Sequence, residues 1–279
     1  MKIRQVKRVV KGQSTFDGAG VKLVRVLGHG DVHDVDPFLM FDAFGSDKSE
    51  DYIKGFPMHP HRGIETITYL LEGRVDHKDS LGNSGTLLDG DLQWMTAGSG
   101  ILHEEMPKET KRLYGLQFWL NLPKEHKMAP PEYFPITPDM VKEIDIGCGK
   151  IKLISGECLG ENGVSPKYVK AIMMDVSLNF GSQYDLPISS EQNTFAYILE
   201  GAAMFGEERI NVERFSAAIF SEGDIVRIYA PDSGVRFVLL AGKPLKEPIA
   251  WGGPIVMNTQ EELQVASMEL AQGTFIKSA

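Results

Sequence analysis

The stretch GFPMHPHRGIETITYLLEG, residues 55–73, decides the fold of this 279-residue chain. It contains two histidines separated by a single proline, and then residues 65–71, in which polar and apolar side chains alternate before a Glu-Gly turn. Alternation with a period of two is typical of a β-strand whose two faces meet different surroundings. The stretch therefore predicts a strand that begins beside a pair of imidazoles.

The same alternation recurs along the chain. Twenty-nine glycines and fifteen prolines separate the apolar stretches, which suits a protein of many short strands and turns. The further segments with this strand pattern are residues 21–26, 113–120, 171–178, 194–199 and 236–240. The sequence thus predicts an all-β protein.

Helical patterning is strongest near the C-terminus. Asn258 or Thr259 can cap a helix there, because Glu261 or Glu262 follows three residues later, as in a capping box. The apolar residues on one face of this helix would be Leu263, Ala266 and Leu270. We predict one short helix after the last strand.

The two halves of the chain resemble each other. Residues 65–73 align with residues 193–201, and the Gly-Asp turn that ends at Asp91 aligns with the one that ends at Asp224. Such a repeat indicates a duplicated supersecondary unit, and short strands with Gly-Asp turns favour jelly-roll barrels. A proline-rich stretch, residues 123–138, lies between the halves.

We therefore predict two jelly-roll β-barrels in tandem with a short C-terminal helix. The expected divisions are an N-terminal metal-binding barrel at residues 1–135, a C-terminal barrel without metal ligands at 136–245, and a C-terminal arm with its helix at 246–279.

Composition narrows the class of function. The formal net charge of -9 argues against direct binding of nucleic acid, which needs a basic face. The two cysteines, Cys148 and Cys158, form no CxxC pair, so we expect reduced thiols rather than a disulfide framework. No apolar run is long enough for a membrane span, and the N-terminus lacks the pattern of a secretory signal. We expect a soluble, cytoplasmic protein (nuclear also, if eukaryotic) that does not bind a membrane.

Two pairs of polar residues carry the predicted chemistry. On extended backbone, residues two apart face the same side, so His59 and His61 share a face, as do His103 and Glu105, whereas Glu104 points away. A single H-x-H more often means surface histidines, so the prediction rests on two same-face pairs. Imidazoles with one carboxylate suit iron, manganese, nickel, copper or zinc, and octahedral coordination would leave about two positions open.

Four blocks make the sequence similar to a known family. They are DPFLMFD at residues 36–42, PMHPHRGIET at 57–66, GILHEEMP at 100–107 and EPIAWGGPIVMN at 247–258. Together they resemble the pirin family over essentially the whole chain. The resemblance implies a bicupin with one mononuclear iron, expected as Fe(II), in the N-terminal barrel. It also implies His59, His61, His103 and Glu105 as the metal ligands.

One carboxylate competes with this ligand set. In the general cupin pattern a glutamate four residues after the second histidine binds the metal, and Glu65 holds that position here. The pirin pattern uses the glutamate two residues after the last histidine, which is Glu105. We expect Glu105 to be the ligand and Glu65 to be an outer or structural carboxylate.

The second half lacks these ligands. In the repeat alignment, the positions of the four ligands and of Glu65 fall opposite Pro187, Ser189, Arg236, Val238 and Asn193. The C-terminal barrel is therefore expected to be free of metal.

Several other residues flank the predicted site. Apolar side chains near the ligands are expected mostly in the core, with the alternative that some line a pocket for a planar aromatic ligand: Phe38, Met40, Phe41, Phe44, Phe56, Met58, Met95 and Met106. Arg62 should face away from His61 as a structural ion-pair partner. Gly63, Gly98 and Gly100 are expected to let backbone segments pass closely.

The resemblance implies two functions. The first is a quercetin 2,3-dioxygenase that opens a flavonol-type ring with O2, in which Glu105 serves as ligand and catalytic base; its partners would be a small planar aromatic substrate and O2. The alternative is a non-enzymatic, iron-dependent redox regulator that binds a transcription factor or a metabolic enzyme. A monomer is expected in either case.

Overall fold

The computed structural model describes residues 1–231 and 233–277, which form two compact units. The first unit comprises Gln13–Gly28, Phe38–Thr137 and Leu245–Ala279, and the second comprises Met1–Gly12, His29–Pro37 and Pro138–Pro244. Within the described part of the chain, no helix has both the length and the apolar character needed to span a membrane.

Most of the chain is strand, as the alternation predicts. The strands of the N-terminal half are β1 (Val6–Lys11), β2 (Gln13–Asp17), β3 (Val21–Leu27), β4 (Phe38–Ser46), β5 (Phe56–His61), β6 (Ile64–Glu72), β7 (Val75–Asp79), β8 (Ser84–Leu87), β9 (Leu92–Thr96), β10 (Ile101–Pro107), β11 (Leu113–Asn121) and β12 (Glu132–Ile136). The strands that follow are β13 (Lys142–Asp145), β14 (Gly149–Ser155), β15 (Glu157–Cys158), β16 (Glu161–Asn162), β17 (Ile172–Leu178), β18 (Ser182–Pro187), β19 (Asn193–Phe205), β20 (Ile210–Glu213), β21 (Ser216–Phe220), β22 (Ile225–Ala230), β23 (Val235–Gly242), β24 (Ala250–Gly252) and β25 (Ile255–Met257). The α-helices are α1 (Val32–Val35) and α2 (Gln260–Gln272), and three short 3-10 helices occupy Ser49–Asp51, Lys124–His126 and Pro138–Met140.

The two units repeat one topology. The large sheet of the first unit has the strand order β12-β9-β6-β11-β4-β3-β2, and that of the second has β1-β21-β19-β23-β17-β14-β13. Each position matches, so β6 corresponds to β19 and β11 to β23. The chain has the predicted bicupin fold of two jelly-roll barrels with a C-terminal helix.

The termini do not follow the sequential division predicted above. Strand β1 pairs with β21 in the second unit, where it takes the place that β12 takes beside β9 in the first. Residues 245–277, hereafter the C-terminal arm, belong to the first unit. The sequence pattern of an edge strand does not specify which strand it pairs with, so the pairing of β1 with β21 could not be predicted.

The matched topology corrects one part of the repeat alignment. Arg236 and Val238 lie on β23, the counterpart of β11, and not opposite His103 and Glu105. The counterpart of β10 is β22, which pairs with β18 as β10 pairs with β5. The alignment failed because it matched the Gly-Asp turn before β9 in the first half with the Gly-Asp turn before β22 in the second.

The interior of the second unit is filled with apolar side chains. Val226, Ile228 and Ala230 of β22 are all at most 1% exposed and lie in one core cluster with Phe205 and Phe237. Apolar side chains thus take the interior positions of β22, the counterpart of β10.

Helix α2 begins as the sequence predicts. Thr259 is the N-cap, its side chain accepts a hydrogen bond from the Glu262 backbone N–H, and the Glu262 carboxylate accepts one in return. Gly273 ends the helix in the left-handed conformation, with φ of 72°. Ala266 is fully buried, whereas Leu270 is 37% exposed.

Candidate metal centre

Strands β5 and β10 bring the two predicted pairs together. They run antiparallel, with His59 opposite His103 and His61 opposite Ile101. A bulge then places Glu105 opposite Phe56 on β5. The register of β10 with β7 is regular through this region, so the same-face geometry of His103 and Glu105 is retained.

The three histidines form a compact cluster. One nitrogen from each of His59, His61 and His103 lies within 4.8 Å of the other two. The Nε2 atoms of His59 and His61 are 3.1 Å apart. His61 and His103 are buried, and His59 is half-buried, so His59 is the most exposed of the three rings.

Backbone carbonyls fix the tautomers of two of these rings. The His59 Nδ1–H donates to the Pro57 carbonyl at 2.9 Å, and the His61 Nδ1–H donates to the Pro254 carbonyl at 3.2 Å. A neutral imidazole that donates through Nδ1 carries its lone pair on Nε2. Two lone pairs therefore face each other at 3.1 Å, an arrangement that a cation between them would stabilise.

His103 completes the arrangement. Its Nε2 is buried and has no hydrogen-bond partner among residues 1–231 and 233–277, which is costly for a polar atom unless a ligand satisfies it. Burial lowers the pKa of His61 to about 3 and holds the pKa of His103 well below its usual value. Neutral imidazoles are the form that binds a metal, so the three rings fit a metal ion.

Glu105 is buried beside the histidine cluster. The cluster defined by the 4.8 Å distance does not include it, and its Oε1 accepts a hydrogen bond from the Thr68 hydroxyl at 3.1 Å. Burial raises the pKa of its carboxyl group, against the opposing effect of the nearby His59. Of the four predicted ligands, the structure brings three together.

The first barrel is layered inside. Strand register places the half-buried Gln117 beside Thr68 in one row of side chains that face the barrel interior. Two residues along the same strands, a second interior-facing row holds Trp119 beside Thr66. The Thr68 hydroxyl is 2.8 Å from Gln117 Oε1 and 3.1 Å from Glu105 Oε1, so the first row faces Glu105. At the far end, an apolar cluster that includes Phe44, Phe56 and Leu70 closes the barrel.

The row that holds Trp119 and Thr66 lies beside the histidines. Trp119 packs edge-on against His61 with ring centroids 5.0 Å apart, and the Tyr133 hydroxyl is 3.4 Å from His103 Nδ1. Tyr133 in turn stacks on His77 at 5.4 Å. Sequence reasoning did not single out these three as functional; the alternation that marks β11 as a strand does place Gln117 and Trp119 on one face.

Three predicted non-ligands point away from the cluster. Glu65 is 1% exposed and accepts a hydrogen bond from the Thr96 hydroxyl at 2.7 Å. Glu104 pairs with Lys78 at 3.0 Å. Arg62 forms the structural ion pair expected of it, with Glu269 at 2.7 Å.

The flanking apolar residues divide between core and pocket. Met40 and Met95 pair with Trp119 and Thr66 and so belong to the row that meets the histidines. Phe41 stacks on Phe118 on the outer face of the sheet. The predicted core residues Phe44 and Phe56 close the barrel, whereas Met58 is 43% exposed.

Comparisons with known proteins agree with this geometry. The sequence model of the Pirin family matches residues 20–120, and that of the Pirin C-terminal cupin domain matches residues 173–276. The chain is 42% identical to a pirin-like protein of Caulobacter vibrioides over 99% of this chain and 100% of that one. It is 38% identical, over 97% of each chain, to a Pseudomonas aeruginosa protein named "Putative quercetin 2,3-dioxygenase". A solved structure of quercetin 2,3-dioxygenase from Acinetobacter baumannii has a TM-score of 0.89 at 30% identity and covers 98% of each chain.

Proposed function

The chain belongs to the pirin family, and on that premise we propose that it is a metal-dependent cupin dioxygenase of the quercetin 2,3-dioxygenase kind. Its substrate would be a planar, hydroxylated aromatic such as a flavonol, whose central ring is opened with O2. The proposed metal is Fe(II), with manganese, nickel, copper and zinc as alternatives that the same donor atoms accept.

One observation carries the proposal. One nitrogen from each ring lies within 4.8 Å of the other two, and backbone carbonyls hold His59 and His61 in the tautomer with the lone pair on Nε2. His103 Nε2 has no hydrogen-bond partner among the described residues. Three imidazoles, with Glu105 as the proposed fourth ligand, would leave about two octahedral positions for substrate and O2. A bound ion supplies Lewis-acid and one-electron chemistry at this point.

The chain's own residues supply binding and proton transfer. A planar ring can pack on the apolar row of Met40, Met95 and Trp119 beside the histidines. Glu105 is the carboxylate on the same face as His103, so we assign it the proton of the substrate hydroxyl. Thr68 orients that carboxylate through its hydroxyl.

The test is oxygen-dependent loss of quercetin absorbance by the purified protein. The protein would be loaded in turn with Fe(II), Mn(II), Ni(II), Cu(II) or Zn(II), and its metal content measured by mass spectrometry. We expect turnover with one metal, and loss of both metal and turnover in His103→Ala.

A matched variant controls for the loss of any histidine. His126 lies on a short surface turn, 39% exposed, so His126→Ala should keep the turnover of the parent. Stoichiometric metal without turnover on quercetin or related flavonols would contradict the dioxygenase and favour the redox regulator.

A further inference from the structure

The C-terminal arm reaches one of the three histidines directly. The Pro254 carbonyl accepts the hydrogen bond from His61 Nδ1 at 3.2 Å. This contact joins residues 193 positions apart in sequence. Because it keeps the proton on Nδ1, it decides that Nε2 faces the other histidines.

The arm also holds the residue next to His61. The Val256 N–H donates to the Arg62 carbonyl at 3.0 Å. The Arg62 guanidinium, 2% exposed, donates to the Phe275 carbonyl at 2.8 Å and lies 4.1 Å from the centre of the Phe275 ring. It also pairs with Glu269 at the end of α2. Main chain and side chain of Arg62 are therefore both fixed by the arm.

A buried lysine joins the same two segments. Lys127 Nζ donates to the Gly63 carbonyl at 2.8 Å and to the Val256 carbonyl at 2.9 Å. Gly63 has a φ of +75°, and a Cβ there would stand 1.9 Å from the Val256 carbonyl oxygen. Only glycine permits this close approach of the arm to the backbone that follows His61.

The second ligand strand rests on the arm as well. A Cβ on Gly100, which has a φ of +132°, would meet the Phe275 ring and carbonyl at 3.0 Å. Leu102, adjacent to His103, packs against a cluster formed by Ile255, Met257, Ala266 and Phe275. Phe275 thus lies against a residue next to each predicted ligand strand, Arg62 after β5 and Gly100 before β10.

We propose that the C-terminal arm is a positioning element of the metal centre, which sets the orientation of His61 and the spacing between the β5 and β10 ligands. The proposal rests on metal binding by the histidine cluster, and not on the identity of the substrate. Docking of the arm and binding of the metal are then coupled, and each strengthens the other by the same factor.

The first test uses the unaltered protein. Amide hydrogen exchange would be measured with and without one equivalent of Co(II). We expect the metal to slow exchange of arm amides such as Val256 and Thr274, which donate to Arg62 and Glu269. Slowing confined to residues 56–61 and 101–107 would overturn the proposal.

The second test uses Phe275→Ala, with Leu270→Ala as control. Both substitutions remove a large apolar side chain from the arm, but Phe275 is 2% exposed and Leu270 is 37% exposed. We expect Co(II) to bind Phe275→Ala about ten- to a hundredfold more weakly, the range for residues that orient ligands. We also expect a changed visible spectrum of bound Co(II), which a loss of global stability alone would not produce.

The outcomes separate this proposal from the dioxygenase. Weaker Co(II) binding and a changed spectrum in Phe275→Ala support the positioning role even if quercetin is never consumed. Parent-like affinity and spectrum in that variant overturn it, even if the parent turns quercetin over. Absence of any Co(II) binding by the parent overturns both.

Discussion

At the scale of single residues, the Thr68 hydroxyl orients the carboxylate of Glu105. Thr68 lies 3.1 Å from Glu105 Oε1 and 2.8 Å from Gln117 Oε1. The Thr96 hydroxyl, on β9, likewise donates a hydrogen bond to Glu65 Oε1 at 2.7 Å. The two threonines thus make the same kind of hydrogen bond, Thr68 to Glu105 and Thr96 to Glu65.

We predict that Thr68→Val lowers metal affinity about tenfold, because Glu105 loses the hydrogen bond that orients it while the side-chain volume is kept. Thr96→Val should leave metal affinity unchanged and cost about 1–3 kcal/mol of stability, since it removes one hydrogen bond from a buried carboxylate. Titration with Co(II) and urea unfolding measure both effects. Equal affinity losses in the two variants would contradict the assignment of Glu105.

Lys127 gives the first unit a pH-dependent stability. Burial lowers its pKa from 10.5 to about 7, against the opposing charges of Glu247 and Glu262. The unfolded chain therefore holds more protons than the folded chain between these values, and the free energy of unfolding rises with pH through this window. From pH 7 to 9 the gain is about 2 kcal/mol.

Urea unfolding followed by tryptophan fluorescence measures this slope, because Trp94, Trp119 and Trp251 all lie in the first unit. In Lys127→Met the rise in the free energy of unfolding from pH 7 to 9 should be smaller by about 2 kcal/mol. An unchanged slope would mean that the three oxygen acceptors around Nζ hold the ammonium form at neutral pH.

The histidine pairs could be placed from sequence because the two-residue spacing on a strand settles which side chains share a face. Thr68, Gln117, Trp119 and Tyr133 could not, because their approach to the site depends on the register between strands distant in the chain. Pro254 is a harder case still: its contribution is a backbone carbonyl, which leaves no signature in the side-chain pattern.

At the scale of elements, helix α2 shows what local sequence determines. The capping box was predicted with two candidate caps and two glutamates, and the structure selects Thr259 and Glu262. The six predicted strands lie where alternation placed them, but β19 extends to Phe205, well beyond residue 199. After Gly201 it pairs with β20, a partner that the sequence pattern did not indicate.

We predict that Thr259→Ala lowers the stability of the first unit by about 1 kcal/mol through loss of the N-cap. Ser267→Ala removes an exposed hydroxyl from the middle of the same helix, where it donates to Leu263, and should be nearly neutral. Tryptophan-monitored urea midpoints compare the two. A larger loss for Ser267→Ala would contradict the capping assignment.

At the scale of the whole molecule, each unit carries its own reporter. The chain's three tryptophans lie in the first unit, and its two cysteines lie in the second. Cys158 is 5% exposed, and burial raises its thiol pKa to about 11, so its reaction with a thiol reagent reports opening of the second unit.

This allows a test of the N-terminal segment. Arg4 is 1% exposed and donates to the carbonyls of Ser189, Gln192 and Ser221. We predict that Arg4→Met speeds labelling of Cys158 at least tenfold, because those carbonyls lose their donors. Lys7→Met, which alters an exposed ion pair with Asp34, should change the rate little. Equal labelling rates for parent and Arg4→Met would contradict this role.

The C-terminal arm follows the second unit in the order of synthesis. Residues 138–244 are translated between β12 and the arm, which takes roughly 5 to 20 s at common elongation rates. Throughout that interval the nascent chain holds all three histidines but lacks Pro254 and Phe275. If the arm positions His61 as proposed, the histidine cluster reaches its final geometry only after the arm has been translated.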